Sequence, residues 1–370
     1  MNDEQSHSVL QTPSKSFRPV LIASNHTLSE YSLFLAHLLA GLADESIPAA
    51  LVCPPACDVE SVMSGAVEVI RHPIIDLPLL ERLNRNRLIE QLVRFQPTVL
   101  HCLCEAKASL TRQLARQLSL PYVLMINSLQ NRWRQVSISS KHCARITVPA
   151  KSIAASVAKA YPRFAERVEQ TNIGTFVEEQ SGCFSQSSRL PSVVVAHPLN
   201  HVAEFENLFG AVRHLAIARY EFMFVVMGAG RAESQLRKLL AALGLSQTVT
   251  IVPRLQPWRS VLAAGDIFIQ PRRTTVFNPL LLEAMSVGTA VAACKGGVDD
   301  LIIEDQTAVV FDPDDELSIR STLQRLFDRR EFARKLAKEA QKYLKENHTV
   351  SKMISGTLQV YRQAQQWFSH

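Results

Sequence analysis

A chain of 370 residues, 47% of them hydrophobic, has enough apolar side chains for two ordinary domains with full-sized cores. The charged content of 20% excludes a wholly disordered protein, and the formal net charge of +6 is too small to indicate a nucleic-acid-binding surface. The sequence contains no run of 18 apolar residues and therefore predicts no membrane-spanning helix.

The seven cysteines and the first residues add two further expectations. The close cysteine pairs, Cys53 with Cys57 and Cys102 with Cys104, have no matching histidine pattern, which argues against a zinc site and a disulfide framework. We therefore predict no metal ligand, and thiols that stay reduced in the cytoplasm. Residues 1–17 are polar and lack a hydrophobic signal core, so we predict a disordered tail there.

Residues 18–177 predict a first domain in which strands and helices alternate. Short apolar runs typical of buried parallel strands occur at 19–24, 49–53, 98–102, 121–126 and 145–149. Helical patterns separate them, notably at 33–42, 79–95 and 110–118, while residues 25–30 predict a glycine-free loop. The helix at 79–95 carries Arg82, Arg85, Arg87 and Arg94. These arginines predict either a solvated helix face or contact with an acidic partner or a membrane surface.

A polar, serine-rich stretch at 178–190 predicts the interdomain linker. A second domain at 191–350 repeats the alternation, with strands predicted at 191–196, 222–227, 248–252, 267–269 and 290–294. The last helical pattern, within 351–370, ends in Trp367 and Phe368, two aromatic side chains that need an apolar surface.

The stretch from Gly265 to Gly288 is the most informative part of the sequence. Its strand ends at Pro271, a basic loop follows, and Asn278 and Pro279 then open a helix as cap and first helical residue. A helix start just beyond the carboxyl end of a strand offers unpaired N–H groups and a positive dipole end to an anion. The sequence therefore predicts a phosphate close to Phe277.

Glu283 lies in the same helix, within an otherwise apolar run. A buried carboxylate without partners is costly, so we expect this one to be bonded. Two interpretations remain open: a partly exposed helix glutamate, or a carboxylate that accepts hydrogen bonds from sugar hydroxyls.

This segment resembles the donor-site signature of the retaining, two-domain glycosyltransferases of the GT-B fold, in particular the family 4 type. The family pattern Pro-Ser-x-x-Glu-Gly-Phe-Gly, followed by Leu-Glu-Ala-Met and a glycine, is matched by Pro271, Phe277, 282–285 and Gly288. The resemblance implies that Glu283 holds the ribose of a nucleotide sugar. The first glutamate of the family's Glu-x7-Glu motif falls on Thr275, which carries no charge.

The resemblance runs from about Pro19 to Trp367 and implies an α/β fold class. Two Rossmann-like, doubly wound domains would face each other across a cleft, and a C-terminal helix would cross back to the first domain. It also implies transfer of a sugar from a UDP- or GDP-sugar with retained configuration, without a tightly bound cofactor or a protein-bound metal. The acceptor would be a glycan, a lipid-linked molecule or a small molecule, in the cytoplasm or at the inner face of the membrane.

Single residues acquire roles through the same resemblance. Asn127 stands where the family places a histidine near the donor sugar, and the implied catalytic positions are Asn127, Thr275 and Arg273. His197 and His201 would either replace a basic diphosphate clamp, which requires them to be protonated, or be solvated loop histidines. Arg254 would either cover the nucleobase or cap a strand end. The implied nucleotide-binding positions are Glu283, Phe277, Asn278, Leu280, Gly228, Gly230, His197, His201 and Arg254.

The sequence departs from the family pattern at the glycine-free loop, at Asn127, at the clamp and at Thr275. Three functions therefore stay open: an active glycosyltransferase, a catalytically silent relative that binds a nucleotide sugar or supports a partner transferase, and a nucleotide-sugar epimerase of the same fold. We expect no nucleic-acid partner, and the sequence does not indicate an oligomeric state.

Overall fold

The computed structural model describes residues 17–62, 67–73, 78–131, 136–180, 182–185, 189–253 and 258–368. The predicted disordered tail lies outside these ranges except for its last residue, Phe17. That residue is part of the folded structure, because its ring packs on Tyr361 with the ring centroids 6.0 Å apart.

The first domain is built on a seven-stranded parallel sheet with the strand order β3-β2-β1-β4-β5-β6-β7. Its strands are β1 (Pro19–Ile22), β2 (Ala49–Cys53), β3 (Val67–Arg71), β4 (Val99–Cys102), β5 (Tyr122–Met125), β6 (Cys143–Val148) and β7 (Val168–Gln170). Its helices are α1 (Asn25–Glu30), α2 (Ser32–Asp44), α3 (Pro78–Phe95), α4 (Ala108–Leu118) and α5 (Lys151–Ala160). Strands β1, β4 and β5 are buried throughout, as expected for parallel strands covered by helices on both faces.

The second domain has a six-stranded parallel sheet with the order β10-β9-β8-β11-β12-β13. Its strands are β8 (Ser192–Ala196), β9 (Met223–Met227), β10 (Val249–Val252), β11 (Ile267–Gln270), β12 (Ala290–Ala293) and β13 (Val309–Val310). The helices that follow along the chain are α6 (Glu206–Ile217), α7 (Glu233–Ala242), α8 (Trp258–Ala263), α9 (Pro279–Ser286), α10 (Glu316–Asp328), α11 (Arg330–Asn347) and α12 (Val350–Phe368). The predicted architecture of two parallel-sheet α/β domains is confirmed.

Helix α12 crosses back onto the first domain, as predicted. Its Tyr361 hydroxyl lies 2.8 Å from His101 Nδ1 in β4, and Gln363 accepts a hydrogen bond from Arg145 in β6. Its Ile354 side chain fills the space next to Gly41 in α2, where an added Cβ would approach the isoleucine to 2.3 Å. The last helix is therefore an integral part of the first domain's core.

Residues 25–30 form helix α1 and not the predicted loop. Ser24 Oγ accepts a hydrogen bond from Thr27 N at 3.2 Å, and Thr27 Oγ1 accepts one from Ser24 N at 3.4 Å. This reciprocal pair is a capping box with threonine at the third helical position in place of glutamate. The expectation failed because a helix start can be encoded by two hydroxyl residues, without glycine or an acidic residue.

The chain crosses between the two sheets at residues 171–178 and again at 347–350. The two crossings pair at Thr175 and Thr349, and Thr175 N donates to His348 O at 2.8 Å. Gly174 has no room for a side chain there, because a Cβ would lie 2.6 Å from Thr349 O. Within the predicted linker 178–190, Cys183 already belongs to the core of the second domain. The exact domain boundaries remain a prediction.

Candidate active site between the two domains

The carboxyl ends of β5 and β11 are joined directly across the domain boundary. Ser128 and Val276 form an antiparallel bridge, Phe277 N donates to Asn127 O at 2.9 Å, and Leu129 N donates to the carbonyl of Thr275 at 2.8 Å. The predicted catalytic residues Asn127 and Thr275 therefore lie on the two facing segments. This is the edge at which open parallel sheets bind their ligands.

A cavity of 560 Å³ lies beside this bridge and is walled by both domains. The first domain contributes Tyr31, Glu105 and Asn127 among others, and the second domain contributes Val276. The volume is within the range of about 300–1,000 Å³ that is usual for small-molecule sites. The junction therefore holds space for a substrate next to the loop predicted to bind the donor.

Glu105 organises the first-domain side of the cavity, and the sequence reasoning missed it. Its Oε1 accepts three hydrogen bonds, from Asn127 N at 3.0 Å, Ser128 N at 3.1 Å and Ser128 Oγ at 2.8 Å. The available signal was an acidic residue just after β4, at the carboxyl end of the strand next to β5. The carboxylate fixes the segment that bridges to the second domain.

Tyr31 forms another contact across the boundary, since its hydroxyl donates to Phe277 O at 2.8 Å. Burial raises the pKa of Tyr31, and the nearby Glu105 raises this pKa further. The phenol therefore stays protonated at neutral pH and acts as a donor.

The tip of α9 is capped from within the chain. Asn278 Oδ1 accepts hydrogen bonds from Leu280 N at 3.0 Å and Leu281 N at 3.3 Å, which confirms the predicted cap. Pro279 has no N–H, and Phe277 N is bonded to Asn127 O. The expectation of unpaired N–H groups at Phe277 and Leu280 is wrong, because the cap and the bridge use them. An anion would have to displace Asn278 to reach this helix end.

Glu283 is 3% exposed, and its Oε2 lies 2.7 Å from Arg259 Nη1. Arg259 also donates to Thr175 Oγ1 at 3.3 Å and to Glu178 Oε1 at 2.8 Å, both in or next to the first crossing. The expectation that this carboxylate has a partner is confirmed. The alternative interpretation of Glu283 as a partly exposed glutamate is wrong, because the residue is buried. Glu283 Oε1 carries no hydrogen bond within the described part of the chain, so its proposed contact with ribose stays a prediction.

Arg273, a predicted catalytic residue, keeps much of its guanidinium available. Its Nε donates to Lys295 O at 3.1 Å, its Nη2 is 3.8 Å from Asp312 Oδ1, and its side chain is 55% exposed. The preceding Arg272 is instead committed to Asp314, with Nη1 2.6 Å from Oδ1. Both arginines line a second cavity of 670 Å³. Arg273 is therefore the better placed of the two to meet an anionic ligand.

The two predicted clamp histidines have different partners. His197 Nε2 lies 3.5 Å from Glu204 Oε2, whereas His201 Nε2 lies 3.4 Å from Arg231 Nη2. Burial lowers the pKa of His197, and this outweighs the opposite effect of Glu204. His197 is therefore neutral at physiological pH in this structure, so it does not carry the positive charge that the predicted clamp requires.

Gly228 and Gly230 allow a close approach between neighbouring backbones. A Cβ at Gly228 would lie 2.1 Å from His197 O, and one at Gly230 would lie 2.2 Å from Leu199 O. The close backbone approach therefore explains why glycine occupies both positions. Their contact with a nucleotide stays a prediction. Arg254 lies outside the described residues.

Two negative observations hold for the described residues. None of their His, Cys, Asp and Glu side chains form a group of three or more that could hold a metal ion. Among their helices, none combines the length and the apolar content needed to cross a bilayer.

The chain is similar to sugar transferases in sequence. Residues 185–343 match the sequence family of glycosyl transferases group 1. Sulfoquinovosyl transferase SQD2 of Arabidopsis thaliana is 24% identical over 283 residues, which cover 69% of this chain and 54% of that protein. Alpha-D-kanosaminyltransferase of Streptomyces kanamyceticus is 29% identical over 120 residues, or 32% of this chain and 31% of that protein.

A third curated relative is a GDP-mannose-dependent monoacylated alpha-(1-6)-phosphatidylinositol monomannoside mannosyltransferase of Corynebacterium glutamicum. It is 31% identical over 132 residues, which cover 33% of this chain and 34% of that protein. The chain thus matches about half of the length of the first relative and about a third of the other two.

Solved structures resemble the chain over almost its whole length. The glycosyltransferase from Rickettsia africae has a TM-score of 0.76 at 12% identity, covering 94% of this chain and 98% of that one. Anabaena Alr3699/HepE in complex with UDP has a TM-score of 0.73 at 13% identity, covering 93% and 98%. Similarity at this level of identity shows the fold alone. The chain therefore has the GT-B fold, and its residues 185–343 are similar in sequence to the group 1 glycosyl transferases.

Proposed function

We propose that the chain is a glycosyltransferase that moves a sugar from a nucleotide diphosphate sugar to an acceptor hydroxyl. The observation that carries this proposal is the backbone bridge between Ser128 and Val276, next to a cavity walled by both domains. Transfer requires donor and acceptor to meet in a fixed orientation away from bulk water, and such a junction provides that place. The group 1 match of the second domain supports the donor side.

In the proposed reaction, the bond between the anomeric carbon and the diphosphate oxygen breaks, and the acceptor oxygen bonds to the same carbon. The acceptor hydroxyl releases its proton to solvent, and the nucleoside diphosphate leaves as an anion. We propose retention of configuration, in line with the resemblance to the family 4 type. Negative charge builds on the leaving phosphate, so oriented donors near it supply much of the rate.

We assign Arg273 to the leaving diphosphate, because its guanidinium is partly exposed in the loop that bridges the domains. We assign Glu283 Oε1 to the ribose, and the backbone around Phe277 and Leu280 to the donor after rearrangement of Asn278. The loss of one such phosphate donor commonly lowers kcat by about two to three powers of ten.

We propose a uridine or guanosine diphosphate sugar as the donor. Similar structures support the first base, since Anabaena Alr3699/HepE is described in complex with UDP and with UDP-glucose. The relative from Corynebacterium glutamicum supports the second, since its name states dependence on GDP-mannose. We propose action in the cytoplasm, where reduced thiols are stable, because the seven cysteines form no disulfide within the described residues. If the acceptor is lipid-linked, action at the inner membrane face follows.

One alternative has an observation in its favour. The tip of α9 is capped, Glu283 is ion-paired and His197 is neutral, so groups that the proposed transfer would use are occupied or uncharged, which favours a protein without turnover. We therefore keep the catalytically silent nucleotide-sugar-binding protein as the second candidate.

The two candidates can be separated with the purified protein and a panel of UDP- and GDP-sugars. We expect one donor to raise the melting temperature and to release free nucleoside diphosphate slowly, even with water as the acceptor. Thermal stabilisation without release would support the silent protein. A released sugar nucleotide with one inverted hydroxyl would instead support an epimerase.

A further inference from the structure

We propose that the 560 Å³ cavity receives the acceptor as an uncharged, hydroxyl-rich group, such as a sugar or polyol ring. Asn127 Oδ1 and the Glu105 carboxylate would accept its hydroxyl hydrogens. The inference rests on the proposed function for calling this ligand an acceptor. Binding to the cavity can nevertheless be measured without any turnover.

Asn127 presents a buried acceptor that has no partner. The residue is 5% exposed and lines the cavity, and its Oδ1 receives no hydrogen bond. Its orientation is set by Nδ2, which donates to Leu103 O at 3.3 Å, and by backbone bonds to Glu105 and Phe277. A buried acceptor without a partner is costly, so a ligand hydroxyl that donates to it gains a hydrogen bond without displacing another partner.

Glu105 supplies the second acceptor. Its Oε1 is occupied by three donors from Asn127 and Ser128, whereas Oε2 carries no hydrogen bond within the described part of the chain. An ionised carboxylate can only accept hydrogen bonds. The second oxygen of Glu105 can therefore accept a hydrogen bond from a ligand hydroxyl but cannot donate one.

Several donors of the described cavity wall are already used within the protein. The Tyr31 hydroxyl donates to Phe277 O, Ser128 Oγ donates to Glu105, and Gln130 Nε2 donates to Ser128 O. The Asn127 amide oxygen and the second Glu105 oxygen remain as acceptors in this wall, so a ligand that satisfies both brings hydroxyl groups. A carboxylate on the bound ring brings no donor and meets the negative charge of Glu105, which disfavours it.

The cavity places such a ring at the correct side of the junction. Val276 of the donor-side loop forms part of its wall, so a hydroxyl at that end of the ring would face the donor. Glu105 thus both holds the bridging segment and selects the ligand, and these two roles predict different variant behaviour.

The test uses ligand-observed NMR with methyl glycosides of glucose, galactose and mannose, with myo-inositol, and with glucuronate as the anionic match of glucose. We expect at least one neutral probe to bind and glucuronate to bind at least about tenfold more weakly, a difference worth about 1.4 kcal/mol. Binding of no neutral probe, or equal binding of glucuronate, overturns the proposal.

Two variants and a control show whether the probes bind in this cavity. Glu105→Gln keeps a carbonyl oxygen for the N–H groups of Asn127 and Ser128 but replaces the free carboxylate oxygen with an amide donor. We expect weaker binding of the neutral probe and a smaller preference over glucuronate. Asn127→Leu should also weaken binding of the neutral probe. Glu90→Gln, at an exposed position, should leave the binding of both the neutral probe and glucuronate unchanged. A Glu105→Gln protein that behaves like the Glu90→Gln control contradicts the inference. Release of nucleotide from the donor, which needs no acceptor, tests the proposed function separately.

Discussion

Arg259 Nη1 lies 2.7 Å from Glu283 Oε2, and Nη2 of the same guanidinium donates to Phe176 O and Glu178 Oε1. The carboxylate implied to hold the donor ribose is thus tied to the segment that connects the two domains. Because one guanidinium serves both groups, a nucleotide that pulls on Glu283 also acts on the interdomain crossing. A donor that binds Glu283 as proposed would thereby be linked to the domain arrangement through a single side chain.

Glu283→Ala should destabilise the fold as well as weaken donor binding. Removal of one member of a buried ion pair costs about 3–5 kcal/mol, and we expect the lower end because Glu178 remains bonded to Arg259. Glu283→Gln should cost less, since its amide oxygen can still accept from Arg259. Urea unfolding followed by circular dichroism measures both variants. An alanine variant as stable as the wild type would show that the pair contributes nothing to the fold.

Asn278 should govern the access of anions to the tip of α9. Asn278→Asp keeps an oxygen for Leu280 N and Leu281 N, so its stability should stay near that of the wild type. Its added negative charge should lower the affinity for UDP or GDP, by about tenfold for 1.4 kcal/mol of repulsion. Gln270 currently accepts from Asn278 Nδ2 and has a free Nε2, so it can rotate to donate to the new carboxylate.

Asn278→Ala is the matched comparison. It removes the cap and should cost about 1 kcal/mol of stability, but it adds no charge and frees the N–H groups of Leu280 and Leu281. Nucleotide affinities from isothermal titration calorimetry should therefore rank the alanine variant above the aspartate variant. The opposite ranking would show that the phosphate does not bind at the tip of α9.

These residues also show what the sequence can and cannot predict. The Asn278 cap was readable because its signals lie within four residues, and the strands were readable from local apolar runs. The partner of Glu283 was not readable, because Arg259 is 24 residues away and reaches it only in the folded domain. Glu105 was missed for the same reason, since its role depends on β4 lying next to β5.

The expectation of free N–H groups near Phe277 was wrong for a related reason. The partner of Phe277 N is the Asn127 carbonyl of the other domain, and no spacing within one segment reports such a contact. The fold was therefore largely predictable from periodicity and resemblance. The geometry of the candidate site depends on contacts between distant segments and had to be observed.

Asp300 should help to hold the two domains together. Its carboxylate accepts a hydrogen bond from Ser152 N at 3.1 Å and a second from Ser152 Oγ, so a residue of the second domain caps helix α5 of the first. Asp300→Ala should increase amide hydrogen exchange in the first turn of α5 by removing a cap worth about 1 kcal/mol. Asp299→Ala is the control, because that neighbour accepts from Gly296 N inside its own domain. Equal exchange in α5 for both variants would mean that the contact is not maintained in solution.

His101 should make the protein sensitive to acid. It is buried between β4 and α12, its Nδ1 lies 2.8 Å from the Tyr361 hydroxyl, and burial lowers its pKa to about 3. Because the folded-state pKa is below the ordinary value near 6.5, the contribution of this residue to stability is complete above pH 6.5. As the pH falls towards 3 the unfolded chain takes up the proton first, and the free energy of unfolding decreases by about 1.4 kcal/mol per pH unit.

The double variant His101→Phe with Tyr361→Phe isolates this contribution, because it keeps apolar volume at both positions and leaves no polar partner unpaired. Between pH 7.5 and pH 5.0 the wild type should lose about 2 kcal/mol more unfolding free energy than the variant. His37, His197 and His348, whose pKa values are also lowered by burial, remain in both proteins and cancel in the comparison. Urea titrations at the two pH values measure the difference. If both proteins lose stability equally, His101 is protonated in the folded state well above pH 3, and the contact with Tyr361 must then rearrange to accommodate the charge.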